Sequence, residues 1–135
     1  MKLSAFLRQA KTVIEARGWI QDGLETEDGV CTWGAIHRAG IELGALYQQQ
    51  GRRLHFNFVT PMSQLFSPRA TDSHATILER EALYLIAEAT GQPGRYGAMN
   101  IPRWNDNRTR TKEDVLAAFD LAIFMAEEQE REDAA

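Results

Sequence analysis

The chain has little cysteine, little histidine and no long apolar run. One cysteine, Cys31, in 135 residues excludes an internal disulfide and any all-cysteine metal site, and it fits a reducing compartment. The three histidines, His37, His55 and His74, show no His-x-x-x-His or His-Glu-x-x-His spacing, so no metal is expected. No stretch approaches the run of about eighteen apolar residues that a membrane helix needs. Met1-Lys2-Leu3-Ser4 leads directly into a helical pattern without the apolar core of a signal peptide. These absences predict a soluble, cytoplasmic protein with no membrane partner. Cofactor fingerprints are missing too. Gly91-Gln92-Pro93-Gly94 has neither the following lysine nor the preceding strand of a phosphate loop, and no cofactor is expected.

What is there is an ordinary globular composition, 44% hydrophobic and 25% charged. The length is about that of one domain able to bury roughly two-thirds of its unfolded surface, so a single domain over residues 1–135 is expected. The formal net charge of −4 argues against a general nucleic-acid binder. Yet the charge is unevenly spread. Residues 95–112 hold Arg95, Arg103, Arg108, Arg110 and Lys112 against Asp106 alone, whereas residues 113–135 hold eight acids against Arg131. The simplest reading is a basic loop folded over acidic helix ends, with 127–135 a frayed polar tail. The basic segment, with Tyr96 and Trp104, could also grip phosphates or stack a base, although no nucleic-acid-binding signature accompanies it.

Helical periodicity dominates the pattern. Leu3, Phe6, Leu7, Ala10, Val13 and Ile14 share one helix face, with Ser4 as the expected N-cap and Gly18 as the stop. The loop Asp22 to Gly29 carries four acids but lacks the alternation and central glycine of an EF-hand, and reads as solvated. A second helix is expected from Cys31 or Thr32, breaking at Gly40 or continuing to Gln50, with Gly34-Ala35 allowing another helix to approach closely. A third runs from about Ser73 to Thr90, closed by Gly91 and Pro93. A fourth opens at Thr111, with Glu113 and Asp114 placed where the helix dipole favours anions. Two long loops, 51–72 and 91–110, connect these helices. The first includes an alternating stretch near 54–59 that could form a short strand. The expected fold is therefore an all-α compact bundle of about four helices.

Ile101-Pro102-Arg103-Trp104-Asn105-Asp106, ahead of Arg110-Thr111-Lys112-Glu113-Asp114-Val115-Leu116, is the densest local pattern. Asn105 and Asp106 are turn formers that bond backbone groups; beside basic residues they could instead line a pocket for a polar ligand. Cys31 at a helix N-terminus would have a lowered pKa. With a histidine and Asn105 or Asp106 it would sketch a Cys–His–Asn/Asp site, although Cys31 and His37 stand about 9 Å apart along a helix axis. A buried, inert cysteine is the alternative. Trp33, Phe56, Phe58 and Phe66 read as core residues, unless 54–66 is exposed and offers its aromatics to a partner.

Trp19-x-Gln21, Cys31-x-x-Gly34-Ala35-Ile36, the Gly91 helix end and Trp104-Asn105-Asp106 ahead of Arg110-Thr111-x-x-Asp114-Val115-Leu116 occur in that order. Together they resemble a small family of uncharacterised proteins from actinobacteria and their bacteriophages. The resemblance covers most of the chain except residues 47–72 and implies no activity, so it carries over no catalytic residue. It marks Arg52 to Ser67 as an insert outside the shared pattern.

The function expected is that of a small cytoplasmic accessory or regulatory protein, phage- or mobile-element-encoded, that acts by binding another protein. Arg52, Phe56, Phe58, Arg103 and Trp104 are its candidate anchors. The alternative is an enzyme or small-ligand receptor with a pocket around Cys31, Asn105, Asp106 and Arg110.

Overall fold

Residues 1–49, 73–92 and 96–135 are described by the structure, a computed structural model. The first helix, α1 (Leu3–Arg17), buries Phe6, Leu7, Ala10, Val13 and Ile14, as the 3.6-residue spacing requires. It ends where Gly18 takes a positive φ of 99° and returns its N–H to the Ile14 carbonyl at 2.8 Å. Its start differs from the expectation. Lys2 is the N-cap and has no side-chain cap bond, and Ser4 is buried inside the first turn.

The acidic stretch after α1 forms a small antiparallel hairpin of β1 (Glu25–Thr26) and β2 (Gly29–Val30). A parallel bridge from Trp19 to Val30 ties it back to the chain leaving α1. The conflict with a solvated loop has an electrostatic cause. Glu25 accepts from Arg38 Nε at 2.9 Å and Nη2 at 2.5 Å, and from Arg17 Nη1 at 2.5 Å. The Arg38 hydrogen bonds, followed by the charges of Arg38 and Arg17, hold the Glu25 carboxyl below its usual range against the opposing effect of burial.

Helix α2 (Thr32–Gln49) runs unbroken through Gly40. Its glycines serve close approach, but to different neighbours. A Cβ at Gly34 would overlap the Leu24 carbonyl of the hairpin, and one at Gly40 would overlap the Glu79 carboxylate. Helix α3 (His74–Ala89) is capped by Ser73, whose hydroxyl accepts from the Thr76 N–H at 3.1 Å. Residues 97–105, expected within a long loop, form a 3-10 turn (Gly97–Asn100) and a short helix, α4 (Ile101–Asn105), with Pro102 in its first turn where no N–H is needed.

Helix α5 (Lys112–Ala134) opens with a capping box: Asp114 N–H donates to the Thr111 hydroxyl at 3.1 Å and Thr111 N–H to the Asp114 carboxylate at 3.0 Å. Instead of fraying at 127 it stays helical to Ala134, because its polar end has work on α1. Glu127 pairs with Arg8 at 2.9 Å, and the Glu130 carboxylate accepts from the Ser4 N–H at 3.0 Å and hydroxyl at 2.6 Å. Glu130 thus supplies, from the far end of the chain, the acceptor that α1 needs for one of its orphan first-turn donors.

The four long helices pack α1 on α2, α2 on α3, α3 on α5 and α5 on α1, an all-α bundle as expected. Phe6, Leu7, Ile14, Ile36, Leu83, Ile86 and Phe119 meet in its core, which Ile101 of α4 closes at one end. The expected strand near 54–59 lies outside the described residues. Among the described residues no helix is long and apolar enough to cross a membrane.

Candidate functional site

Three segments converge where the hairpin meets the start of α2. They are the extended Trp19–Asp22 leaving α1, Cys31-Thr32 at the head of α2, and Asn105-Asp106 at the end of α4. Asn105 lies at their centre, with 0% of its surface exposed. Its Oδ1 accepts three hydrogen bonds, from Trp19 Nε1 at 2.7 Å, Thr32 N–H at 3.0 Å and Thr32 Oγ1 at 2.7 Å. Its Nδ2 donates two, to the Ile20 carbonyl at 3.1 Å and Asp106 Oδ1 at 3.0 Å.

This pattern fixes the residue type. Aspartate would set a second carboxylate oxygen against the Ile20 carbonyl and the Asp106 charge, while an apolar side chain would strand three donors. The next residues extend the same clamp. Gln21 Nε2 donates to the Asn105 and Asn107 carbonyls at 3.1 and 2.8 Å, and Asp22 N–H to Asp106 Oδ1 at 2.9 Å. Trp-x-Gln and Trp-Asn-Asp, 85 positions apart, are thus two halves of one hydrogen-bonded unit.

Cys31 lies beside this unit, 5% exposed, and caps α2: its Sγ accepts from the Gly34 N–H at 3.3 Å. Its thiol pKa is raised, not lowered. Burial is the largest cause and the Asp106 charge adds to it, outweighing the backbone N–H groups of Gly34 and Trp33. His37, the nearest histidine in sequence, has Nδ1 3.5 Å from Glu79 Oε2 on α3. Arg110 covers Trp104, its guanidinium carbon 4.2 Å from the ring centroid and its Nε bonded to the Trp104 carbonyl at 3.0 Å.

The expected pocket residues Cys31, Asn105 and Asp106 therefore do come together, around Thr32, but their polar groups are turned on the protein itself. Arg110 sits apart from them on Trp104. Of the expected anchors, Arg103 is exposed and Trp104 is half-buried under Arg110; Arg52, Phe56 and Phe58 lie outside the described residues. Of the basic residues expected to fold over acidic helix ends, Arg103, Arg108, Arg110 and Lys112 make no ion pair with the described residues, and Arg95 lies outside them.

Two buried charged residues escaped the sequence reading. Glu79 is 2% and Arg80 7% exposed on α3. Glu79 falls at helical spacing among Ala75, Leu78, Ala82, Leu83 and Ile86, so a charged residue on the apolar stripe was the available signal. Among the described residues no three His, Cys, Asp or Glu side chains stand close enough to hold a metal ion.

Fold and site together define a small helical protein whose most distinctive polar motif is an internal clamp. The chain belongs to a family of unknown function (DUF6197), whose family model matches residues 1–124. The 52–67 stretch falls within those bounds, whereas the acidic end of α5 lies beyond them. Neither the curated proteins nor the solved structures yield a match.

Proposed function

We propose that this protein is a non-enzymatic accessory factor that acts by binding another protein. The observation that carries the reading is on the outer face of α5. Leu121 and Phe124, one turn apart, are 46% and 57% exposed, a pair of large apolar groups that the bundle leaves to water. The saturated amide of Asn105 supports the reading from the other side, since the alternative pocket would need that group free. A cytoplasmic setting and an actinobacterial or bacteriophage origin belong to the same proposal. The unpaired thiol of Cys31 and the resemblance carried by Trp104-Asn105-Asp106 support them.

The test is affinity capture from the host lysate with wild type and a Leu121→Ser/Phe124→Ser variant of equal stability, followed by reconstitution with the purified candidate. A protein held by wild type and lost with the variant, in both settings, is the expected result. Retention of a small molecule or nucleic acid with no protein partner would overturn the reading.

A further inference from the structure

A groove of about 740 Å³ lies between the N-terminal end of α1, the outer face of α3 and the last three turns of α5. Its floor is apolar, formed by Tyr84, Leu85 and Met125, and its rim is acidic, with Glu81, Glu88 and Asp133. All three rim carboxylates are exposed, and none is ion-paired with the described residues. Glu130, a fourth acid of the described lining, is engaged by Ser4, and Lys2 is the one cation among the described lining residues.

The backbone adds to this negative field. Glu88 stands in the last turn of α3 and Asp133 in the last turn of α5, where the helix macrodipole is already negative and acids are disfavoured. Charges placed there weaken the helices that carry them. Helices α3 and α5 run antiparallel, with His74 beside Met1 and Glu130 beside Ser4, so Glu88 and Asp133 stand at opposite ends of the groove and a cation at each would relieve it.

We propose that this groove receives a basic amphipathic helix of a partner protein, a step that rests on the protein-binding reading above and adds a second surface, separate from the Leu121–Phe124 pair, with its own chemistry. The apolar floor takes aliphatic side chains one turn apart, and Met125 gives it an adaptable wall. The rim takes lysine or arginine on the flanks of the same helix. Glu81 to Glu88 spans two helical turns, about 10 Å, so two or three turns of partner helix fill the groove. Phosphate-bearing ligands are repelled by the rim.

The test uses a fluorescein-labelled leucine–lysine amphipathic peptide about four turns long, with a leucine–glutamate peptide of the same pattern as its counterpart. Wild type should bind the basic peptide saturably, with one site, and ignore the acidic one. Glu81→Gln/Glu88→Gln/Asp133→Asn should weaken binding by about tenfold at low salt. A control of equal net charge, Glu15→Gln/Glu27→Gln/Glu113→Gln, should leave it unchanged. Equal weakening by both triple variants would reduce the effect to net charge and overturn the proposal. So would saturable binding that Met125→Lys leaves intact, or sedimentation showing the groove closed by a second copy of the chain. The partner capture, repeated with the groove variant, separates the two readings. A partner retained equally by that variant sinks the groove but not protein binding. Peptide binding at the groove with no captured partner does the reverse.

Discussion

Asn105 shows how much one side chain can settle. A surface asparagine in a turn contributes about 1 kcal/mol through its local bonds, but here a single buried oxygen satisfies Trp19, the Thr32 N–H and the Thr32 hydroxyl. Stranding a buried donor costs about 1–3 kcal/mol, and Trp19 is only half-buried, so part of its loss is recovered from water. Asn105→Ala should therefore lower the unfolding free energy by about 3 kcal/mol, measured as a fall in the urea midpoint with an unchanged slope. A loss below about 0.5 kcal/mol would mean that the clamp is not structural and would return Asn105 to the list of ligand-binding groups. Cys31, its neighbour across Thr32, illustrates the competition that decides reactivity. A helix N-terminus lowers a thiol pKa and burial raises it, and at 5% exposure burial wins. Burial thus favours the protonated thiol at the head of α2, whose sulfur serves as a cap for the helix.

At the scale of elements, the β1–β2 hairpin is only two residues deep on each strand, too short to hold itself in water. Its attachment to α2 runs through Glu25 and Arg38, and that attachment depends on pH. The Arg38 hydrogen bonds hold the folded-state Glu25 pKa below its unfolded value. The stabilisation is therefore fully present above about pH 4.5 and is lost as pH falls through the lowered folded value. Both side chains remain more than a quarter exposed, which limits the contribution to about 0.5–1 kcal/mol. Arg38→Met should flatten this part of the acid dependence in urea titrations below about pH 4.5, with Arg17 sustaining a remnant. Identical pH profiles for variant and wild type would show that the ion pair contributes nothing.

What was legible in the sequence follows from the range of the interactions involved. The four long helices could be read because their apolar spacing, the Thr111 cap and the Gly18 stop are local signals. The Glu130 cap on Ser4 reaches across 126 positions, and the Asn105 network joins residues 73 to 86 apart; no local pattern encodes either. The same limit explains the candidate site. Residue types named Asn105, Asp106 and Cys31 as a group, but only their partners decide whether such groups face a ligand or one another. Short helices suffer as well: α4 has five residues, fewer than a periodic pattern needs to declare itself.

For the whole molecule, the distribution of charge is the feature that folding explains least. The basic residues 103–112 lie at the N-terminal end of α5, and the acids 127–133 lie toward its C-terminal end, about 25 Å away along the axis. Apart from Glu113, Asp114 and Arg131, this arrangement runs against the helix dipole. The rim acids Glu81, Glu88 and Asp133 are not ion-paired with the described residues, and two of them sit at negative helix ends. Glu88 and Asp133 are each worth some tenths of a kcal/mol against the folded state, so a chain selected only for stability would not keep them. Glu81→Gln/Glu88→Gln/Asp133→Asn should then raise the unfolding free energy by about 0.5–1 kcal/mol, seen as a higher urea midpoint at low salt and a smaller gain at high salt where the repulsion is screened. Asn at 133 keeps the oxygen that accepts from Gln129, so no bond is lost to confuse the result. A lower midpoint would place the three acids in the service of the fold. A higher one would show that the groove is held at a cost in stability, as expected of a surface kept for a cationic partner.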